Sequence, residues 1–294
     1  MKSAAAGLAL NLVLAIGQGA SVQAAPGQLA VVAAENFYGD IARQIGGDQV
    51  AVASIMTNPD QDPHLFETTP AVVRQLAGAK IVVLNGANYD PWMDKLLAAT
   101  PRADRIVISA AQLTGRKPGD NPHLWYDPIT MPRVATAIAE AFAKVDIAHA
   151  SDYAARLKAT LAALERITER VAQIKAKHAG TAVTATEPVF GPMTEALGLT
   201  MRNQRFQLAM MNDTEPSARD VAAFEKDLRE HKVKVLIYNS QVSEKLTERL
   251  RDVATKAKVP VVGVTETMPP NVSFQDWVLG ELDALDKALS EPNS

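Results

Sequence analysis

Cysteine is absent from the 294-residue sequence, and its absence excludes three kinds of feature. Without a thiol the chain can form no disulfide, can offer no thiolate to a metal ion, and can carry no lipid on an N-terminal cysteine. Any metal site in this chain must therefore use nitrogen and oxygen ligands.

Aromatic residues and basic clusters are also scarce. Aromatic side chains make up 5% of the sequence, which disfavours an aromatic-lined cleft for an organic ligand. The formal net charge is -3, and no basic stripe accompanies it, so no nucleic-acid surface is indicated. With 47% hydrophobic and 21% charged residues, the composition is that of a globular protein of one or two domains.

Long apolar runs are lacking apart from one short stretch near the N-terminus. Lys2 precedes the apolar residues 8–16, and the small-residue site Val22-Gln23-Ala24 follows them. This layout is typical of a secretory signal peptide, whereas a membrane anchor needs roughly 20 apolar residues. We predict that residues 1–24 are a cleaved signal peptide and that the mature protein is periplasmic and not lipid-anchored.

Short runs typical of β-strands alternate with helical patterns along the rest of the chain. The predicted strands are residues 29–34, 50–56, 80–85, 105–109, 181–186, 233–239 and 259–265. Such alternation favours an α/β fold with largely parallel sheets, here divided into two lobes.

A long helix is predicted between the two sets of strands. From about residue 149 to 178 apolar residues recur every three or four positions without glycine or proline. At about 1.5 Å per residue this helix would extend roughly 40 Å, enough to run along both lobes. The predicted organisation is an N-terminal lobe at 25–148, a linking helix at 149–178 and a C-terminal lobe at 179–294; a helix confined to one lobe is the alternative.

Two similar motifs place a histidine directly after a proline. Asp62-Pro63-His64 comes after the second predicted strand, and Asn121-Pro122-His123 comes after the fourth. Proline restricts its own backbone and that of the preceding residue, so both imidazoles are held on stiffened loops. Because open α/β sheets bind ligands at the carboxyl ends of their strands, the two histidines are candidate metal ligands.

Two glutamates follow strands in the second lobe. Glu187 comes after the strand at 181–186, and Glu266 ends the run at 259–265. Their alternative interpretations are a carboxylate at a helix N-terminus for Glu187 and a solvated loop acid for Glu266. Asp62, Glu67 and Asp127 are candidates for holding the imidazoles through their second nitrogen, with a solvated surface role as the alternative for each. Trp125 and Tyr126 are candidates for an apolar wall.

Together these motifs resemble the metal-specific solute-binding proteins of ABC importers, the zinc and manganese group called cluster A-I. The resemblance runs from about Leu29 to Leu289. The motifs that carry it are Asp62-Pro63-His64 with Glu67, Asn121-Pro122-His123-Leu124-Trp125 with Asp127-Pro128, Thr186-Glu187 to Gly198-Leu199, and Val264-Thr265-Glu266. It implies two lobes of four-stranded sheet joined by one long rigid helix. It also implies that His64, His123, Glu187 and Glu266 bind the metal, although the family usually has aspartate at the last position.

Two imidazoles and two carboxylates suit Mn²⁺, Zn²⁺ or Fe²⁺ better than Ca²⁺ or Mg²⁺. By the resemblance, a glutamate at the third ligand position leans toward Mn²⁺, and the loop at 116–120 lacks the histidines that many zinc-specific relatives have there, which weakens the zinc-specific interpretation without excluding it. The same groups would still bind Zn²⁺ more tightly by the Irving–Williams order. We therefore expect one Mn²⁺ or Zn²⁺ as the transported ligand, with Fe²⁺ also open.

The resemblance predicts a binding protein that delivers its metal to a membrane permease with a cytoplasmic ATPase, and a monomer. The sequence has no HExxH motif, nucleophile elbow or glycine-rich phosphate loop, so an enzyme is not expected. Two alternatives stay open at this point: a periplasmic zinc-dependent hydrolase with the same ligands, and a binding protein for an organic ligand such as a siderophore.

Overall fold

The computed structural model describes residues 25, 27–58, 66, 68–242 and 244–292. In this part of the chain the first lobe contains β1 (Leu29–Glu35), α1 (Asn36–Gly46), β2 (Val50–Met56), α2 (Pro70–Gly78), β3 (Ile81–Leu84), α3 (Pro91–Ala99), β4 (Ile106–Ser109), α4 (Ala110–Thr114) and α5 (Thr130–Val145). The long helix α6 (Ala150–His178) follows. The second lobe contains β5 (Ala182–Ala185), α7 (Gly191–Ala196), β6 (Thr200–Arg202), α8 (Gln204–Met211), α9 (Ala218–Arg229), β7 (Leu236–Asn239), α10 (Lys245–Lys256), β8 (Val261–Val264) and α11 (Phe274–Ser290).

Each lobe is built on a four-stranded sheet in which all strand pairs are parallel. The strand order is β2-β1-β3-β4 in the first sheet and β6-β5-β7-β8 in the second. The order reverses between β1 and β3 in one sheet, and between β5 and β7 in the other. Ligands of open α/β sheets bind outside the carboxyl ends of the strands at such a reversal, so each lobe presents one crevice of this kind.

Helix α6 connects the two sheets. Its 29 residues include no glycine or proline, and at about 1.5 Å per residue the helix is about 43 Å long. It packs against α1 and α5 of the first lobe and against α11 of the second. Its buried face is formed by Tyr153, Thr160, Leu164, Ile167, Val171 and Ile174. This face belongs to a hydrophobic core that continues through both lobes.

Ion pairs fasten α6 to the C-terminal helix. Asp286 on α11 accepts hydrogen bonds from Arg170 Nη2 at 2.9 Å and from Lys177 Nζ at 3.2 Å, and His178 Nε2 lies 2.9 Å from its other oxygen. The three partners hold the pKa of Asp286 below its usual range against the opposing effect of burial. The end of the long helix is therefore bound to the second lobe.

The predicted fold class is confirmed. All seven predicted strands are present: β2 matches its predicted range, β1 is one residue longer and the other five are shorter. The linking helix begins one residue later than predicted. β6 was not predicted, because three residues are too few to show a period. The described residues include no helix long and apolar enough to cross a membrane. The predicted signal peptide lies outside the described residues.

Candidate metal centre

His123 lies in the first lobe on a turn that ends the Asn121-Pro122 segment. Its side chain is 1% exposed. Asn121 Oδ1 is 2.7 Å from His123 Nδ1 and also accepts a hydrogen bond from the backbone N–H of His123 at 3.0 Å. Because this oxygen can only accept, Nδ1 carries a proton, and in the neutral ring Nε2 is then the nitrogen with the lone pair. The imidazole is therefore held in the tautomer that binds a metal through Nε2.

Asn121 also joins the two lobes. Its Nδ2 donates to the backbone carbonyl of Pro188 at 2.7 Å, and Pro188 directly follows Glu187 in the second lobe. Gly191 approaches the same amide so closely that a Cβ there would lie 2.7 Å from Asn121 Nδ2. One side chain thus orients His123 and fixes the segment that follows Glu187.

Glu266 follows β8 and is 4% exposed. Its Oε2 is 3.5 Å from His123 Nε2 and accepts a hydrogen bond from Tyr89 Oη at 3.2 Å. Its Oε1 accepts a hydrogen bond from Asn239 Nδ2 at 2.7 Å. The carboxylate is therefore in direct reach of the imidazole of the opposite lobe.

Glu187 follows β5 and is partly buried. Its Oε2 accepts a hydrogen bond from the same Asn239 Nδ2 at 3.0 Å. Both glutamates thus have an oxygen within 3.0 Å of one nitrogen. Since β5, β7 and β8 are adjacent parallel strands, their carboxyl ends bring Glu187, Asn239 and Glu266 to one edge of the second sheet.

The backbone around Glu266 is held by two further side chains. Gln241 Oε1 accepts hydrogen bonds from the backbone N–H groups of Glu266 and Thr267, the second at 2.9 Å. Glu281 Oε1 accepts from the backbone N–H of Thr265 at 3.1 Å and from Trp277 Nε1 at 2.9 Å. Burial raises the pKa of Glu281 to about 8.

The first lobe also holds the segment that carries Glu266. Tyr126 Oη donates to the backbone carbonyl of Thr265 at 2.6 Å. Asn36 makes two hydrogen bonds to the backbone of Met268, one at 2.6 Å to its carbonyl and one at 3.1 Å from its N–H. The position of this carboxylate is therefore set from both sides of the cleft.

A second pair of acids lies behind Tyr89 in the first lobe. Glu35, at the end of β1, is 2% exposed, and Asp90, which precedes α3, is 3% exposed. Asp90 accepts hydrogen bonds from the backbone N–H groups of Asn85 at 2.8 Å and Gly86 at 2.7 Å. Burial raises the pKa of Asp90 to about 6, against the effect of those two donors.

Glu35 has no such donors. Neither of its carboxylate oxygens accepts a hydrogen bond from the described residues. Burial, and next the charge of Asp90, raise its pKa well above the usual range. The raised pKa values of both acids favour a proton on this pair over two neighbouring charges.

The structure brings three of the four predicted ligands, His123, Glu187 and Glu266, to one region. The fourth, His64, lies outside the described residues, as do Asp62 and Glu67. Within the described ranges no group of three His, Asp or Glu side chains is arranged to hold a metal ion.

Two supporting roles were interpreted from sequence, with different outcomes. Asp127 was a candidate support for His123, but the side chain that holds its Nδ1 is Asn121. Asp127 instead pairs with Arg116 at 3.3 Å and accepts from the backbone N–H of Ile129 at 3.2 Å. Trp125 and Tyr126 are buried, and the Trp125 ring lies 5.4 Å from that of His123, as expected of an apolar wall.

Sequence reasoning missed several polar side chains that position the candidate ligands. These are Asn121, Asn239, Gln241, Tyr89 and Glu281. Asn239 could have been found from its place at the end of a predicted strand. Tyr89 and Glu281 gave no signal, because they reach the centre from a loop and a helix far away in sequence.

The fold and these side chains define a two-lobed solute-binding protein with ligand-type groups between its lobes. A family model described as ZnuA, zinc-uptake complex component A, periplasmic, matches residues 31–288. The chain belongs to this family. The predicted class, a metal-binding component of an ABC importer and not an enzyme, is thereby confirmed, and neither the hydrolase nor the organic-ligand alternative is supported.

Individual relatives carry names with different metals. The manganese ABC transporter substrate-binding lipoprotein PsaA of Streptococcus pneumoniae is 23% identical over 286 residues, covering 89% of this chain and 88% of its own length. The iron-binding protein YfeA of Yersinia pestis is 25% identical over 228 residues, covering 73% and 70%. Among solved structures, the periplasmic zinc-binding protein TroA of Treponema pallidum matches with a TM-score of 0.77 and 20% identity, covering 90% of this chain and all of that one.

Proposed function

We propose that this chain binds one divalent transition metal, Zn²⁺ or Mn²⁺, between its lobes and delivers it to a membrane permease with a cytoplasmic ATPase. The ligands are His64 and His123 from the first lobe, and Glu187 and Glu266 from the second. Fe²⁺ fits the same donor set, and the relatives are named for all three metals. The ion is cargo, so binding and release are the activity.

The observation that carries the proposal is the contact between His123 and Glu266 across the cleft. A buried imidazole with a lone pair on Nε2 lies 3.5 Å from a buried carboxylate oxygen. A second carboxylate is tied to the first through Asn239. Buried nitrogen and oxygen donors that face each other across the cleft suit a borderline cation.

The binding protein acts outside the inner membrane, and we propose that it is a soluble periplasmic monomer. Several relatives are named as lipoproteins. This sequence has no cysteine to which such a lipid could be attached. Because α6 fastens both lobes through one continuous core, we propose that metal release requires small movements near Glu187 and Glu266 rather than wide opening of the lobes.

The experiment that tests this function is elemental analysis of the protein purified from periplasm, with titration by Zn²⁺ and Mn²⁺. Wild-type protein should contain one ion per chain. His64→Ala, His123→Ala, Glu187→Ala and Glu266→Ala should each lose the ion or bind it at least about 100-fold more weakly, because each removes a ligand. His231→Ala, which changes an exposed histidine on a turn after α9, is the matched control and should bind like wild type. Wild-type protein without a titratable ion would overturn the proposal.

A further inference from the structure

Tyr126 shares a short turn with His123. The turn covers Leu124–Tyr126, and the backbone N–H of Tyr126 donates to the carbonyl of His123 at 3.2 Å. The side chains of both residues are buried. The phenol and the imidazole therefore keep a fixed relation to each other within the first lobe.

The hydroxyl of Tyr126 reaches into the second lobe. It donates to the backbone carbonyl of Thr265 at 2.6 Å, and Thr265 directly precedes Glu266. Burial, and next the charge of Glu281, raise the pKa of Tyr126 well above its usual range, so the hydroxyl keeps the proton that it donates. One hydrogen bond thus connects the turn that carries His123 with the segment that carries Glu266.

The peptide unit between Thr265 and Glu266 is held at both of its polar groups. Tyr126 binds its carbonyl oxygen from the first lobe, and Gln241 Oε1 accepts from its N–H in the second lobe. The preceding peptide unit is held as well, because Glu281 Oε1 accepts from the N–H of Thr265 at 3.1 Å. Since the orientation of this backbone decides where the Glu266 side chain points, Tyr126 is one of the groups that direct the carboxylate.

The contact between His123 and Glu266 does not hold itself together. In the neutral imidazole Nδ1 carries the proton, so Nε2 and the carboxylate Oε2 3.5 Å away are both acceptors. Two acceptors do not attract each other, so neighbouring groups must set this distance. A zinc ion bound about 2.1 Å from a nitrogen and from an oxygen, at the tetrahedral angle, holds those two atoms about 3.4 Å apart. The structure has nearly the same spacing.

We propose that Tyr126 is a positioning residue that holds Glu266 at metal-binding distance from His123. This inference rests on the proposed function, because it treats those two residues as ligands. Without the hydroxyl, the direct link between the two ligand-bearing segments is lost, although Asn36 still binds the backbone of Met268 farther along the chain. Tyr126 therefore contributes to metal affinity without touching the ion.

The test is Tyr126→Phe, which removes one oxygen atom and keeps the ring that packs against Phe190 and Trp277. Zn²⁺ affinity is measured by titration of the metal-free protein in competition with a chelator. Co²⁺ is bound as a spectroscopic probe, because its visible absorption depends on the arrangement of its ligands. We expect Zn²⁺ affinity to fall about 10-fold and the Co²⁺ band to change in position or intensity.

Tyr153→Phe is the matched control. Tyr153 is also buried in the first lobe, and its hydroxyl donates to Asp146 at 2.7 Å, at the junction of α5 and α6. Both variants should lower the urea midpoint of the metal-free protein, because each loses a hydrogen bond. Only Tyr126→Phe should affect the metal, and Tyr153→Phe should keep Zn²⁺ affinity within about twofold and the Co²⁺ band unchanged.

Glu281 gives a second measurement on the same segment, with a rescue. Glu281→Leu removes the acceptor for the N–H of Thr265 and should weaken Zn²⁺ binding about 10-fold as well. Glu281→Gln keeps an oxygen toward Thr265 and Trp277, because both donors face the same atom, and should bind Zn²⁺ within about threefold of wild type. If Tyr126→Phe does not fold, wild-type affinity in Glu281→Leu would overturn the inference.

The outcomes separate this inference from the proposed function. A folded Tyr126→Phe variant with wild-type Zn²⁺ affinity and Co²⁺ band would overturn the inference even though the protein binds metal. Equal losses of affinity in Tyr126→Phe and Tyr153→Phe would also overturn it, because destabilisation alone would explain both. Wild-type protein that binds neither ion would overturn the proposed function and this inference with it.

Discussion

The two sheets have the same strand order, yet the crevices at their carboxyl ends hold different pairs of acids. In the first lobe Glu35 and Asp90 lie together, and Glu35 accepts no hydrogen bond from the described residues. In the second lobe Glu187 and Glu266 lie together, and both accept a hydrogen bond from Asn239. The same strand order thus places two neighbouring acids at each crevice, and the surroundings of the two pairs differ.

The difference shows what decides whether a pair of buried carboxylates can hold a metal. Two ionised carboxylates repel, and burial strengthens the repulsion unless a donor or a cation separates them. In the first lobe burial, and next the charge of Asp90, raise the pKa of Glu35, which favours a proton there. In the second lobe the N–H groups of Asn239 donate to both carboxylates. The first pair is therefore suited to a proton, and the metal role of the second pair stays a prediction.

The largest expected effect comes from neutralising one acid of each pair and measuring metal binding. Glu266→Gln should weaken Zn²⁺ binding by about 100-fold or more, because it removes a charged ligand. Glu35→Gln should leave Zn²⁺ affinity within about threefold of wild type, because the raised pKa of Glu35 already favours its neutral form. Isothermal titration of both variants checks this. Equal losses in the two variants would mean that the first pair also contributes charge to the metal.

The next effect concerns the stability of the first crevice. Asp90→Ala leaves the backbone N–H groups of Asn85 and Gly86 without an acceptor, at about 1–3 kcal/mol each. Gly86, Ala87 and Asn88 all have positive φ, so their loop depends on that anchor. We expect the free energy of unfolding to fall by about 3 kcal/mol in urea titrations.

Asp90→Asn is the control for that measurement. It keeps one side-chain oxygen as an acceptor, so its loss should be about half that of Asp90→Ala. If Asp90→Ala lowered the free energy of unfolding by less than about 1 kcal/mol, water would replace the carboxylate as the acceptor. The first crevice would then be more accessible to water than the second.

A smaller effect is the pH dependence that Glu35 gives to the metal-free protein. Because burial raises its pKa in the folded state, folded protein holds a proton that unfolded protein releases above pH about 4.5. This contribution to stability is complete at low pH and is lost as the pH rises toward the folded-state pKa. Glu35→Gln, whose amide can still donate to Asp90, lacks this dependence.

We therefore expect Glu35→Gln to gain stability relative to wild type as the pH rises from 5 to 8, by about 1.4 kcal/mol for each pH unit that lies below the folded-state pKa of Glu35. Unfolding in urea at several pH values measures the difference. Parallel curves for the two proteins over that range would contradict a proton shared within the first pair.

Much of the fold could be predicted from the sequence because its elements are periodic. Seven strands and the long helix follow from hydrophobic spacing within the chain. The sequence did not allow us to predict that the two sheets have the same strand order, because parallel pairing joins segments that are far apart in sequence. Nothing local in Thr200–Arg202 marks it as the edge strand beside β5.

The candidate site was predictable to the extent that its ligands end strands or follow prolines. His123, Glu187 and Glu266 were predicted in this way and lie in one region, and the role of all four residues, His64 included, as metal ligands stays a prediction. The supporting side chains were missed because they act across the fold. Tyr89 reaches Glu266 from 177 positions away, and Asn121 was quoted within a motif without its role being apparent.

The smallest expected effect tests which side chain supports His123. Asp127→Asn keeps the oxygen that accepts from the backbone of Ile129 and loses only an exposed pair with Arg116, so stability should change by less than about 0.5 kcal/mol and Zn²⁺ affinity by less than about twofold. Asn121→Ala, by contrast, frees the imidazole and should weaken binding about 10- to 100-fold. Side-by-side titration of the two variants measures the difference. If Asp127→Asn lost more Zn²⁺ affinity than Asn121→Ala, the charge of Asp127 would matter more than the tautomer of His123. The comparison of the two acid pairs would then have to include Asp127 as a third acid.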